Sequence, residues 1–267
     1  MPFTVQDILN IIEKIAPTSL AEDWDNVGLM VGNSSATVNA ILLGLDPTLP
    51  LLDEAVSRGA NLLITHHPFI FHPLKAIHLD SPDGIFVERA IQNRINVVSC
   101  HTNLDSAAEG VSSSLARKLD LQDITPLVAH SGSDQCGLGR IGQYGEPVSA
   151  DAFIEKLKAA CSPPWLLATA NAPATISCVA VCGGSCSGLA PVALERGAQV
   201  FVTSEVKHST ARWAEQAGLW VVDGGHFATE HQALTIFAEN LAAEASRDFN
   251  AINIHITRQQ ISPLLMV

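Results

Sequence analysis

Thr65-His66-His67-Pro68 sets two imidazoles side by side. Adjacent side chains on a strand point to opposite faces, but where a strand gives way to a loop both can turn toward one site. Neutral imidazoles suit zinc, iron, nickel and copper, and Pro68 fixes the backbone behind them. His101-Thr102-Asn103-Leu104-Asp105 spaces an imidazole and a carboxylate four residues apart, and His226-Phe227-Ala228-Thr229-Glu230 repeats that spacing after Gly224-Gly225. Residues four apart share one face of a helix, and the glycines let backbone approach a ligand closely. Each segment also has a plainer use: loop histidines, an N-cap carboxylate at Asp105, a cap at Thr229 beside a surface glutamate. Together they form the mixture of histidines and bridging carboxylates that two-metal hydrolytic sites use. The expected ligands are His66, His67, Asp105, His226 and Glu230. His101 is the candidate proton carrier, because imidazole ordinarily titrates near neutral pH.

Two other motifs compete for attention. Cys178, Cys182 and Cys186 are spaced four apart, which is not the two-residue gap usual in zinc and iron–sulfur sites. Core packing suits them better, since free cysteine behaves as a small hydrophobe. Gly183-Gly184-Ser185 could cradle a phosphate ahead of a helix. Any phosphate-bearing substrate would otherwise rely on metals, backbone amides or a few arginines such as Arg140.

The elements that position these residues alternate. Thr4 caps a first helix with Asp7 three residues on, and Pro17 stops it. The apolar runs 40–45, 62–65 and 95–100 read as strands, with helices over 49–58 and 85–93 between them. The second half repeats the plan: a strand over 177–182, a helix over 189–196, a strand after Gly197, a helix over 209–216 and a strand over 219–222. Arg58-Gly59-Ala60-Asn61-Leu62-Leu63-Ile64-Thr65 parallels Arg196-Gly197-Ala198-Gln199-Val200-Phe201-Val202-Thr203. The fold class is therefore α/β, two similar β-α-β-α-β halves with largely parallel sheet. The divisions expected are 1–125 for the first half, 126–175 for a smaller intervening α+β segment with a helix over 149–160, and 176–267 for the second half. Each half delivers a histidine and a carboxylate just past a strand's C-terminal end, where open α/β sheets place ligands.

Composition narrows the class. Hydrophobic residues make up 47% and charged residues only 16%, against roughly 25% charged in soluble domains. So few charges point to self-association. The net charge of −12, without a Lys/Arg run, argues against a nucleic-acid footprint. No export signal and no apolar stretch of membrane-spanning length is read in the chain, so a cytoplasmic protein with reduced thiols is expected.

Trp24-Asp25-Asn26-Val27-Gly28-Leu29, Thr65-His66-His67-Pro68, His101-Thr102-Asn103-Leu104-Asp105 and Gly225-His226-Phe227-Ala228-Thr229-Glu230, in this order, resemble the YbgI-like dinuclear metal-binding family. Its members are relatives of the NGG-interacting-factor-like proteins and carry the label GTP cyclohydrolase I type II homologue. The resemblance implies a two-domain α/β fold, a homohexameric toroid and two divalent metal ions (zinc, iron, manganese or nickel). It puts the ligands on His66, His67, Asp105, His226 and Glu230, with His101 close by. The chain departs from the family where many members carry a Lys-Tyr-His pattern and this one reads Glu205-Val206-Lys207-His208-Ser209. Metal-dependent hydrolysis of a nucleotide-like or phosphate-bearing small molecule is the function expected. The alternative is a metal-handling protein without turnover.

Overall fold

The computed structural model describes residues 2–248 and 252–267. It forms two compact units, Met1–Leu104 with Leu234–Gln260, and Asp105–Ala233 with Ile261–Val267.

The first unit opens with α1 (Val5–Ile15), started by a capping box in which Thr4 and Asp7 satisfy each other's backbone amides. Its strands are β1 (Gly28–Val31), β2 (Ala40–Gly44), β3 (Leu62–Thr65) and β4 (Asn96–Ser99). Between them run α2 (Leu49–Ser57) and α3 (Pro82–Gln92). The sequence placed α3 from residue 85, but Ser81 caps it and Pro82 takes the first turn. β2, β3 and β4 are parallel, with Gly44 opposite Thr65 and Thr65 opposite Ser99. Three strand ends therefore lie level. Leu42, Leu63 and Val97 pack against Leu51, Leu52, Phe86 and Ala90, so the strands are covered and apolar throughout.

α4 (Thr102–Ser106) follows β4 directly. The second unit then holds α5 (Val111–Lys118), β5 (Gln122–Ala129), β6 (Gly137–Ser149), α6 (Ala150–Cys161) and β7 (Leu167–Ala168). It continues with β8 (Thr175–Val181), α7 (Ala190–Glu195), β9 (Val200–Thr203), α8 (His208–Ala217), β10 (Trp220–Asp223) and α9 (His226–His231). Its sheet runs β5-β6-β8-β9-β10-β7. β8, β9 and β10 are parallel, β6 and β7 pair antiparallel to β8 and β10 on either side, and β5 pairs antiparallel to β6. The repeat expected from Arg-Gly-Ala is thus present as β2-α2-β3-α3-β4 and β8-α7-β9-α8-β10. The intervening stretch, expected as a smaller α+β segment, supplies α6 and the antiparallel edges of the second sheet.

The chain then returns to the first unit. α10 (Leu234–Asp248) leads to β11 (Asn253–Ile256), which pairs parallel to β2. The first sheet is completed as β1-β4-β3-β2-β11.

Candidate metal centre

The level ends of β2, β3 and β4 explain the histidine set of the first unit. The amides of His66 and His67 donate to Gly44 O and Leu45 O, at 3.2 and 2.9 Å, and Cys100 N–H donates to Thr65 O at 2.9 Å. These bonds carry the ladder one step past each strand and turn His66, His67 and His101 together. The ring centroids lie 5.0 Å apart for His66–His67, 5.2 Å for His66–His101 and 5.6 Å for His67–His101. One ring nitrogen from each falls within 4.8 Å of the others, a set that could hold a metal ion.

The tautomers follow from the outer partners. His66 Nδ1 meets Cys100 O at 2.9 Å, His67 Nδ1 meets Asp46 Oδ1 at 2.7 Å, and His101 Nδ1 meets Asp25 Oδ1 at 2.8 Å. A carbonyl or carboxylate only accepts, so each neutral ring carries its hydrogen on Nδ1 and its lone pair on Nε2. Metal-ligating histidines are held in this way, the second nitrogen donating to a carbonyl or carboxylate.

Asp25 does more than hold His101. It also accepts the backbone amide and hydroxyl of Thr102, which pins the start of α4. Burial alone would raise its carboxyl. The hydrogen bonds from His101 and Thr102 outweigh that and hold it down at about 2. From sequence Asp25 stood only within the Trp24–Leu29 motif, and Asp46 only followed the apolar run 40–45, although strand C-termini are where site residues gather.

In the second unit β9 and β10 also end level, with Thr203 opposite Asp223. Counting on from these pairs, His66 and His67 correspond to Ser204 and Glu205, while His101 corresponds to Gly225. His226 and Glu230 therefore stand one residue later than His101 and Asp105. Gly225, at φ 78°, takes up the extra residue in the left-handed region. His226 Nδ1 lies 2.7 Å from Glu205 Oε1, and its Nε2 lies 3.1 Å from Glu230 Oε1, one helical turn on. Glu205 thus orients His226 as Asp46 orients His67.

Glu230 is buried and sits over the turn after β8. Gly184 has φ 72°, and a Cβ there would fall on Glu230 Oε1. Two of the turn's amides are already used: Gly183 N–H donates to Ser112 Oγ and Gly184 N–H to Thr229 Oγ1. What the turn seats is a protein carboxylate, Glu230. Asp105 is buried on α4 and close enough to Cys182 to affect its thiol. That thiol is pushed well up by its hydrogen bond with Cys186, by burial and by the Asp105 charge. All six cysteines are free.

Arg140 fails as a phosphate group-holder. It is 2% exposed, and its guanidinium donates to the carbonyls of Gly137, Gly139, Ala107 and Gln135. Lys207 is the N-cap of α8, and His208 lines a cavity of about 270 Å³ with Leu167, Val206, Val221 and Asp223.

The model of the Duf34/NIF3 (NGG1p interacting factor 3) family matches residues 3–263. A Clostridium acetobutylicum protein named GTP cyclohydrolase 1 type 2 homolog is 31% identical over 264 residues, covering 98% of each chain. A Streptomyces coelicolor protein of the same name is 30% identical, over 97% of this chain and 93% of its own. Among solved structures, a Staphylococcus aureus hypothetical protein superposes over the whole of both chains with a TM-score of 0.92 at 25% identity. Reduced HcgD from Methanocaldococcus jannaschii covers 97% of this chain and 99% of its own, with a TM-score of 0.80 at 27% identity. The family match spans nearly the whole chain and the superposed structures share its fold, so the chain belongs to the Duf34/NIF3 family.

Proposed function

We propose that this protein binds two divalent metal ions through His66, His67, Asp105, His226 and Glu230 and hydrolyses a nucleotide-like or phosphate-bearing small molecule. The observation that carries the reading is the shared tautomer of His66, His67 and His101, each Nδ1 tied to an oxygen acceptor. Three imidazoles so held, with carboxylates, fit zinc, iron, manganese or nickel better than magnesium. Bound metal would supply Lewis acidity at an oxygen of the group whose carbon or phosphorus is attacked.

The chain's own residues do the rest. Asp25 holds His101 by Nδ1–H, so the Nε2 lone pair can take a proton and return it. Asp46 and Glu205 fix the rings of His67 and His226. A cyclohydrolase activity rests on the relatives' printed name alone. The sparse charge supports a homo-oligomer, a hexamer by family resemblance. The net charge of −12 supports a small-molecule substrate and no nucleic-acid partner. Among the described residues no helix is long and apolar enough to cross a membrane, and we place the protein in the cytoplasm.

The test is to incubate metal-loaded protein with a panel of nucleotides and phosphoesters. Turnover in the wild type that Glu230→Gln removes supports the hydrolase. Equal background in both leaves the metal-handling alternative.

A further inference from the structure

Two aromatic side chains stand beside His101 with much of their surface open. Trp24 is 58% exposed and Phe71 is 40% exposed. Singly exposed apolar residues need no explanation, but these two are paired. Their ring centroids are 5.7 Å apart at 51°, and each meets His101 edge-on, at 6.1 and 6.3 Å. The three rings form a bent wall with the imidazole as one side.

The wall is built by the segment that orients His101. Trp24 is followed by Asp25, which holds His101 and Thr102. Asn26 comes next, and its side-chain amide donates to Ile70 O at 2.5 Å, fixing the backbone just before Phe71. Three consecutive residues thus place one ring, set the imidazole and locate the second ring. Chance exposure of a tryptophan would not couple these three.

We propose that Trp24 and Phe71 are a stacking platform for a planar heterocyclic ring, purine-sized, whose edge is presented to His101. The assignment rests on the hydrolase reading for its chemistry but concerns binding alone. A π-face on an open indole accepts any flat base, and each such stack is worth enough to weaken binding about five- to a hundredfold when the aromatic is removed. A ring lying there brings its edge up to the His101 ring.

The probes are guanosine monophosphate and ribose 5-phosphate, which share sugar and phosphate and differ in the base. Binding is measured by calorimetry to metal-depleted and zinc-loaded protein, so that loss of turnover and loss of stacking are read separately. The wild type should bind guanosine monophosphate the more tightly. Trp24→Ala and Phe71→Ala should remove most of that difference and leave ribose 5-phosphate unchanged, with unaltered melting curves, and Trp24→Phe should restore much of it. Equal affinity of the wild type for the two probes overturns the proposal, as does a Trp24→Ala variant that keeps the preference. Leu74, Ile77 and Leu79 are exposed on the same excursion, so a second copy could seat there instead. In that case the fluorescence that Trp24→Phe removes would resist acrylamide quenching in the native assembly, and the proposal would fail.

Discussion

The carboxylate of Asp25 lies 2.8 Å from Nδ1 of His101, across 76 residues of chain, and the same carboxylate receives the first amide of the helix that His101 precedes. One acidic side chain therefore sets a ring and a helix start together. Replacing it with alanine strands four donors, the Asn26 amide, His101 Nδ1–H and the amide and hydroxyl of Thr102. Asp25→Ala should lose about 1–3 kcal/mol of stability in urea. Asp46→Ala, which strips only His67, should cost less in stability. Both should lower zinc affinity by about 10–100-fold, the usual effect of removing an outer partner of a ligand. Unchanged affinity in both variants would separate these histidines from metal binding.

Glu205 offers the opposite combination. Its side chain is 58% exposed, yet it holds His226. Its φ of 52° is left-handed, a conformation asparagine tolerates. Glu205→Asn should leave the urea midpoint nearly unmoved, within about 0.5 kcal/mol, while metal affinity falls about tenfold or more. A variant that unfolds more easily but binds as before would show a purely structural role.

Gly184 should not accept a side chain. Gly184→Ala meets both a left-handed backbone and the Glu230 carboxylate. We expect a loss of about 1–3 kcal/mol and weaker metal retention. Gly197 is also left-handed but has nothing within 4 Å of its Cβ position. Gly197→Ala should therefore show the backbone cost without the metal effect, and equal metal loss in both would deny Glu230 its place.

Cys161 gives a pH dependence away from the site. Burial pushes its thiol up to about 12, while the unfolded thiol ionises near 9.0. The folded state thus excludes the thiolate. Its contribution is complete below pH 9 and is lost as pH rises toward 12. At pH 10.5 the drop relative to pH 8 should be about 1–2 kcal/mol from this group. Cys161→Ala, whatever its own packing cost, should show a smaller drop between the two pH values. Parallel curves for wild type and variant would refute it.

The repeat and its strand ends were legible because period and turn chemistry are local. Thr-His-His-Pro at a strand end already implied two rings turned one way. The outer partners were not legible. Asp25 and His101 are 76 residues apart, and nothing in Trp24-Asp25-Asn26 says which ring the carboxylate meets. Arg140 shows the converse limit. Its charge suggested an anion, but a guanidinium can be satisfied wholly by carbonyls, and only the path of the backbone decides that. Within the α+β stretch 126–175 the helix was legible but the strands were not placed, because β6 contains Gly137, Gly139 and Gly142, which weaken a strand pattern. β11 escaped notice because its neighbour in the sheet, β2, lies more than 200 residues earlier.

That late strand ties synthesis to the site. Gln260 accepts the amide of Leu45 at 2.7 Å and donates to Asp46 O at 2.5 Å, so the backbone that presents Asp46 to His67 is closed by a residue 214 positions further along the chain. A nascent chain has its first three parallel strands in hand long before it has their clasp. The corner that presents Asp46 to His67 can lock only once the chain has reached Gln260.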